Sequence, residues 1–219
     1  MRNESGELPK FDVVGLYDGL FVMADDLTGT LWNHLTGTGM SGTQKDVQMP
    51  IGNLLQMNVR QAMDLREPPE IAISERPYSV EGVQGRWMAT DAQLMPMFIE
   101  TLGPDDERRP RMDMGLGIWA EGHARYYPLD SIRADRYLQD TFMGKPVLIY
   151  LDPVTSVPRA VFVETTSVEF HEKVVVLDND RKIIAGQLTN QPKTDRPLQT
   201  YTRWYGFALT FPGAEVFDS

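Results

Sequence analysis

Phe11-Asp12-Val13-Val14-Gly15-Leu16-Tyr17-Asp18-Gly19-Leu20-Phe21-Val22-Met23 is the stretch on which the fold turns. Two short apolar runs flank Asp18-Gly19, and an Asp-Gly pair in that setting predicts a tight hairpin. Asp25 to Gly29 reads as a second turn, leading into Thr30-Leu31-Trp32-Asn33-His34-Leu35. Alternation there puts Leu31, Asn33 and Leu35 on one face and Trp32 and His34 on the other. Thr36 to Gly42 reads as a loop, and Met1 to Lys10 as a flexible end.

Outward from this block the signals alternate between helix and strand. Asn53 to Leu65 carries an apolar stripe at helical period, stopped by Pro68-Pro69. Ile71-Ala72-Ile73 is a strand candidate, Ser74 to Arg86 a loop, and Asp91 a cap for a short helix running to Thr101. Gly103 to Pro110 is charged and bounded by proline, and reads as a flexible excursion. Met112 to Trp119 and Ala124 to Tyr127 read as strands turning at Glu121-Gly122. Ser131 to Phe142 reads as a helix anchored by Ile132, Leu138 and Phe142. Val147 to Leu151 is a continuous apolar run, as in a strand buried on both faces. Ala160 to Val163, Val174 to Leu177 and Ile183 to Ala185 are further strands, with a turn at Asp178-Asn179-Asp180. Gln191 to Pro197 reads as a loop, and Tyr201 to Phe211 as a short helix before Pro212-Gly213. No clear internal repeat stands out.

Short, hairpin-linked strands without regular helix alternation predict an α+β fold, mostly antiparallel sheet with three or four short helices. Residues 11–219 are expected to form a single globular domain. Doubly wound α/β architecture is disfavoured.

Composition narrows the function classes. The chain has 219 residues, a net charge of −10 and no cysteine. Disulfides, thiolate metal sites and a cysteine nucleophile are excluded. The acidic balance argues against nucleic acid and anionic membrane as partners. Arg108, Arg109 and Arg111 are offset by Asp105, Asp106 and Glu107. No apolar run is long enough to span a bilayer. The first ten residues lack an apolar signal region, so a cytoplasmic location is expected if Met1 is the native start. Twelve methionines serve as adaptable core filling or line a flexible apolar pocket.

No standard catalytic or nucleotide-binding signature occurs. Met114-Gly115-Leu116-Gly117 lacks the third glycine of a dinucleotide loop. The candidate catalytic residues are His34, with Asp25 or Asp152 as carboxylate partner. A histidine titrates near neutral pH, and a carboxylate can orient it. Turn chemistry is the competing reading for both aspartates. His34, His123 and His171 would ligate a metal only if folding brought them together. The candidate ligand-binding residues are Trp32, His123, Arg125, Tyr127, Arg203 and Trp204. Cations beside aromatics grip planar or anionic ligands, or else clamp the fold.

Three stretches together resemble domain-of-unknown-function family 3179. They are Gly19-Leu20-Phe21-Val22-Met23 with Thr28-Gly29-Thr30-Leu31-Trp32-Asn33-His34-Leu35-Thr36-Gly37; Ala124-Arg125-Tyr126-Tyr127-Pro128-Leu129 with Gly144-Lys145-Pro146-Val147-Leu148-Ile149-Tyr150; and Thr202-Arg203-Trp204-Tyr205-Gly206-Phe207 with Phe211-Pro212-Gly213. Many members of that family carry Cys-Pro-x-Cys just after the strand matching Val147 to Tyr150. Here that place reads Leu151-Asp152-Pro153-Val154-Thr155, so the thiol redox role implied by the resemblance is absent. The Trp32 block also precedes the Arg125 block, the reverse of the familiar order, as in a circular permutation. The family carries no settled activity.

Three functions follow as expectations. The first is a non-catalytic module binding a small molecule or a protein partner. The second is an enzyme with a His/carboxylate site, with or without metal. The third is a structural subunit of an assembly, including a homo-oligomer. No cofactor is indicated by the residues.

Overall fold

In a computed structural model of the protein, residues 8–54, 56–63, 70, 94, 96–189, 191 and 193–217 are described. The expected strand at Ile71–Ile73, the 74–86 loop, the Pro68-Pro69 stop, the Asp91 cap and Met1 to Glu7 lie outside them. The chain divides into two compact units. The first comprises Met1–Asn53, Leu94–Arg111 and Trp204–Gly213; the second comprises Leu54–Gln93, Met112–Arg203 and Ala214–Ser219. Among the described residues there are four α-helices: α1 (Val59–Met63), α2 (Pro96–Ile99), α3 (Leu129–Asp135) and α4 (Trp204–Thr210). The strands form mostly antiparallel sheets, giving an α+β fold.

The first unit is built on a four-stranded antiparallel meander: β1 (Phe11–Tyr17), β2 (Leu20–Asp25), β3 (Leu31–Asn33) and β4 (Gly39–Ser41). Tyr17 pairs with Leu20 across Asp18 and Gly19, whose φ angles of 51° and 67° make a tight left-handed turn. That backbone twist matches the twist of the strands it joins, which is why Asp-Gly is favoured there. β3 stops at Asn33, before His34, and Trp32 is fully buried while His34 is exposed. The stretch expected as a loop at Thr36 to Gly42 contains β4. α2 starts at Pro96, where a missing N–H costs nothing.

The second unit contains β5 (Met114–Ala120), β6 (His123–Pro128), β7 (Tyr137–Phe142), β8 (Lys145–Leu151), β9 (Pro158–Phe162), β10 (Val168–Phe170), β11 (Val174–Leu177), β12 (Lys182–Ile184), β13 (Gln187–Leu188), β14 (Leu198–Arg203) and β15 (Glu215–Val216). They form three sheets, β14-β5-β6-β15, β7-β8-β9 and β10-β11-β12-β13; only β15 against β6 is parallel. β8 divides the core. Val147 and Ile149 join Leu116, Ile118, Tyr127 and Ile132 on one side. Leu148 and Tyr150 join Val161, Val175 and Ile183 on the other. A strand covered on both faces needs an unbroken apolar run, and that is what Val147 to Leu151 supplies.

Three helix expectations are corrected. The helix expected over Ser131 to Phe142 ends at Asp135, because Arg136 takes a left-handed φ of 68°. β7 follows and pairs with β8 through the turn at Met143-Gly144. Ile132 and Phe142 still enter one core, but from a helix and a strand. Sheet pairing here overrides helical spacing. Tyr201 to Phe211 likewise splits into β14 and α4. Within the described part of Asn53 to Leu65, helix begins only at Val59. Asn58 Oδ1 accepts from the Gln61 amide at 3.0 Å and Gln61 Oε1 accepts from the Asn58 amide at 2.9 Å, a reciprocal cap that sets the start. Gly115 in β5 has a packing role: a Cβ there would come within 2.4 Å of the Tyr127 carbonyl oxygen.

Candidate functional site

Both candidate aspartates sit at strand ends and head hairpin loops. Asp25 Oδ1 accepts from the Leu27 and Thr28 amides at 3.1 and 2.6 Å, and its Oδ2 accepts from the Thr28 hydroxyl at 2.7 Å and Trp32 Nε1 at 2.8 Å. Burial pushes its carboxyl pKa up, but these hydrogen bonds outweigh that and hold it below the ordinary value. Asp152 Oδ1 accepts from the Val154 and Thr155 amides and the Thr155 hydroxyl, at 2.9 to 3.1 Å. Its Oδ2 lies 3.3 Å from Arg159 Nε.

The two loops are copies of one device, and a third copy starts at Asn33. In each, the first residue's amide bonds to the carbonyl five residues on: Thr30 for Asp25, Thr38 for Asn33 and Val157 for Asp152. Its carbonyl accepts from the residue four on: Gly29, Gly37 and Ser156, respectively. Those three have φ of 65°, 69° and 56°. A threonine three residues on completes each loop, and its hydroxyl accepts from the amide two residues later. Asp25-Asp26-Leu27-Thr28-Gly29-Thr30, Asn33-His34-Leu35-Thr36-Gly37-Thr38 and Asp152-Pro153-Val154-Thr155-Ser156-Val157 thus share a pattern that was visible in the sequence. An Asx side chain that caps its own loop makes a hairpin register without a ligand.

His34 occupies the second position of the middle loop. Its Nδ1 is 2.8 Å from the Phe21 carbonyl oxygen, and its ring edges Phe21. Asp25, with its oxygens filled by Leu27, Thr28 and Trp32, does not reach it. Trp32 is the buried partner of Asp25. His123 is exposed at the start of β6, with Nδ1 3.3 Å from the Glu121 carbonyl oxygen. His171 lies 3.8 Å from Glu169. No cluster of three metal-ligating side chains occurs among the described residues.

Arg125 and Tyr127 meet at Asp140. Arg125 Nη1 donates to Asp140 Oδ2 at 2.6 Å and to the Thr141 carbonyl at 2.9 Å, and Tyr127 donates to the same Oδ2 at 2.9 Å. Arg125 also pairs with Glu215. Burial lowers the Arg125 pKa, yet the two carboxylates carry it above the ordinary value. Tyr127 stacks on Phe217 with ring centroids 5.4 Å apart. This is a cross-strand clamp.

Arg203 is exposed at the end of β14, whereas Trp204 is buried at the start of α4. The guanidinium over Trp204 belongs to Arg108, 5.3 Å from the ring centroid. Trp204 Nε1 donates to the Asp106 carbonyl at 2.8 Å. Arg108 is held by Asp106 through Nε at 2.9 Å and Nη2 at 2.6 Å, and Arg111 by Asp105. The hydrogen bond from Arg108 is the main cause that lowers the Asp106 pKa, against a smaller push from burial. Between segment 105–111 and Trp204, Tyr205, Ala208 and Leu209 of α4 runs a cleft of about 370 Å³. The block of three acids followed by three arginines from Asp105 to Arg111 is the sequence signal for it, although their charges sum to zero.

A family model described as Protein of unknown function (DUF3179) matches residues 2–214. The chain belongs to this family. The match covers both units of this DUF3179 protein, including all three Asx loops and the cleft. Leu151–Thr155, without cysteine, forms the start of the third loop. No curated protein and no solved structure matches this DUF3179 chain. Among its described residues, no helix is long and apolar enough to cross a membrane.

Proposed function

We propose that this DUF3179 protein is a non-catalytic binding module, and that it holds a small planar anion in the cleft between segment 105–111 and α4. The observation that carries this is the Arg108–Trp204 platform facing a cleft of about 370 Å³, a size that suits a small molecule. Arg108 and Arg111 present fork-shaped donors beside an aromatic edge, and a ligand carboxylate can exchange with Asp105 or Asp106. The hydrogen bonds of Asp25 and Asp152 support the non-catalytic reading, since both carboxylates serve their own loops.

The test is saturation-transfer NMR with benzoate and indole-3-acetate, on the wild-type protein and on Arg108→Ala. Saturable binding lost in R108A supports the proposal. Absence of saturable binding by either probe, or equal binding by R108A, sinks it.

Assembly is favoured by a separate observation. β1 pairs on one side only among the described residues, and Val13, Val14 and Tyr17 are 56, 55 and 59% exposed. An edge strand with exposed apolar side chains is a template for a second copy. Sedimentation that shows a dimer broken by Val14→Lys would support this, and a monomer at high concentration would remove it.

A further inference from the structure

Among the described residues of the second unit, one buried guanidinium has a carboxylate partner and yet keeps an unfilled N–H. Arg159 in β9 is 4% exposed. Its Nε faces Asp152 Oδ2 at 3.3 Å, but its Nη1 is buried and has no hydrogen-bond partner among the described residues. The other Asp152 oxygen is filled by Val154 and Thr155. A second guanidinium, Arg196, is half-buried and donates from Nη2 to the Gly186 carbonyl. Burial lowers the Arg196 pKa; Tyr150 opposes this and repulsion from Arg159 adds to it. The Tyr150 hydroxyl lies with them: burial pushes its pKa up to about 12, while both arginines pull the other way. Tyr150 is therefore a neutral O–H donor at physiological pH.

Arg159 thus pairs with Asp152, and a second cation, Arg196, lies close enough to repel it. An unfilled buried N–H in a native fold calls for a missing acceptor. The backbone is shaped around this guanidinium. Gly186 has φ of 77°, and a Cβ there would lie 2.0 Å from Arg159 Nη1, so no other residue fits. The chain as a whole carries a net charge of −10, which makes a cation-rich interior spot unusual within it.

We propose that Arg159, Arg196 and Tyr150 form a binding site for one small oxyanion, which supplies the acceptor that Arg159 Nη1 lacks. The shared chemistry is that of a carboxylate, a phosphate or a sulfate: planar or tetrahedral oxygens that accept from guanidinium forks and a phenol. Arg196 is the solvent side of the site and Arg159 its floor. The site is independent of the cleft in the first unit.

The test uses the whole protein at constant ionic strength, with chloride exchanged stepwise for phosphate, sulfate or acetate. The readouts are the Nε–Hε NMR signals of Arg159 and Arg196 and the melting temperature. The expected result is a saturable shift of both signals, with melting rising along the same curve. Arg196→Gln should weaken the affinity by roughly tenfold or more while leaving the fold intact, since its described side-chain bond is to one carbonyl. Saturation by phosphate and sulfate alone identifies a tetrahedral ligand, and saturation by acetate a carboxylate; either supports the site. Shifts that grow linearly with salt and equally in R196Q are a general ion effect and overturn it. Should Arg159→Gln fail to fold, the wild-type and R196Q spectra still decide.

Discussion

The indole Nε1–H of Trp32 donates to Oδ2 of Asp25 at 2.8 Å, with Trp32 fully buried and Asp25 3% exposed. The bond closes one loop onto the next strand. Removing the acceptor strands the indole N–H and the Leu27 and Thr28 amides together. Asp25→Ala should therefore cost about 3 kcal/mol, and Trp32→Phe, which keeps most of the ring, about 1 to 2 kcal/mol. Urea denaturation of both variants and their double mutant checks this. An additive double mutant would contradict the coupling.

The same carboxylate makes stability depend on acid. Asp25 is held below its ordinary pKa of 3.8, and Asp178, paired with Arg181 and bonded to Thr165 and Thr166, lies at about 2. Both are depressed on folding, so the unfolded chain takes up protons first. Their contribution is complete above about pH 4 and is lost as pH falls through the folded values. Melting temperature should fall steadily from pH 4 to about pH 2. Asp178→Asn should flatten that slope, and an unchanged slope would count against it.

Glycine at the fifth loop position can be tested in two settings. At Gly29 a Cβ would meet open space, so Gly29→Ala should cost only the backbone term, about 1 kcal/mol. At Gly37 a Cβ would come within 2.7 Å of Ile51 Cγ2, so Gly37→Ala should cost more. Thermal or urea unfolding of both variants gives the order. The reverse order would mean that backbone conformation matters less than stated here.

Alkaline titration offers a fourth check. Burial raises the Tyr150 pKa to about 12 and carries Tyr127 further above the ordinary 10. A raised phenol pKa stabilises the fold fully below the unfolded value of 10 and is lost as pH climbs through the folded one. Tyrosinate absorbance should show these two phenols appearing late, together with unfolding. Tyr150→Phe should remove one late phenol. Ionisation of Tyr150 at its ordinary pKa in the folded protein would refute the burial argument.

How much of this was legible in the sequence follows from distance along the chain. Asp18-Gly19 and Glu121-Gly122 announced their hairpins, because positive φ at both residues demands such pairs. The run from Val147 announced a strand buried on both faces. Arg136 gives no local sign of its left-handed φ, so the helical spacing of apolar residues runs on through β7. In the sequence Asp25 and Asp152 have the look of free acids or of turns, and the mark of the loop is the threonine three residues beyond each. Arg125 was noticed for its aromatic neighbours, but Asp140 and Glu215, which hold it, lie 15 and 90 residues away. Trp204 likewise takes its cation from Arg108 and not from adjacent Arg203. Such pairings are products of topology.

Each unit is woven from three separated stretches of chain, and α4 of the first unit is supplied by residues beyond Arg203. On the ribosome, the β1–β4 meander emerges long before Trp204, the residue on which Asp106 and Arg108 converge. The first unit must wait, unfinished, while nearly all of the second is made. Completion therefore comes late for both, and no single cut in the chain would release either unit whole.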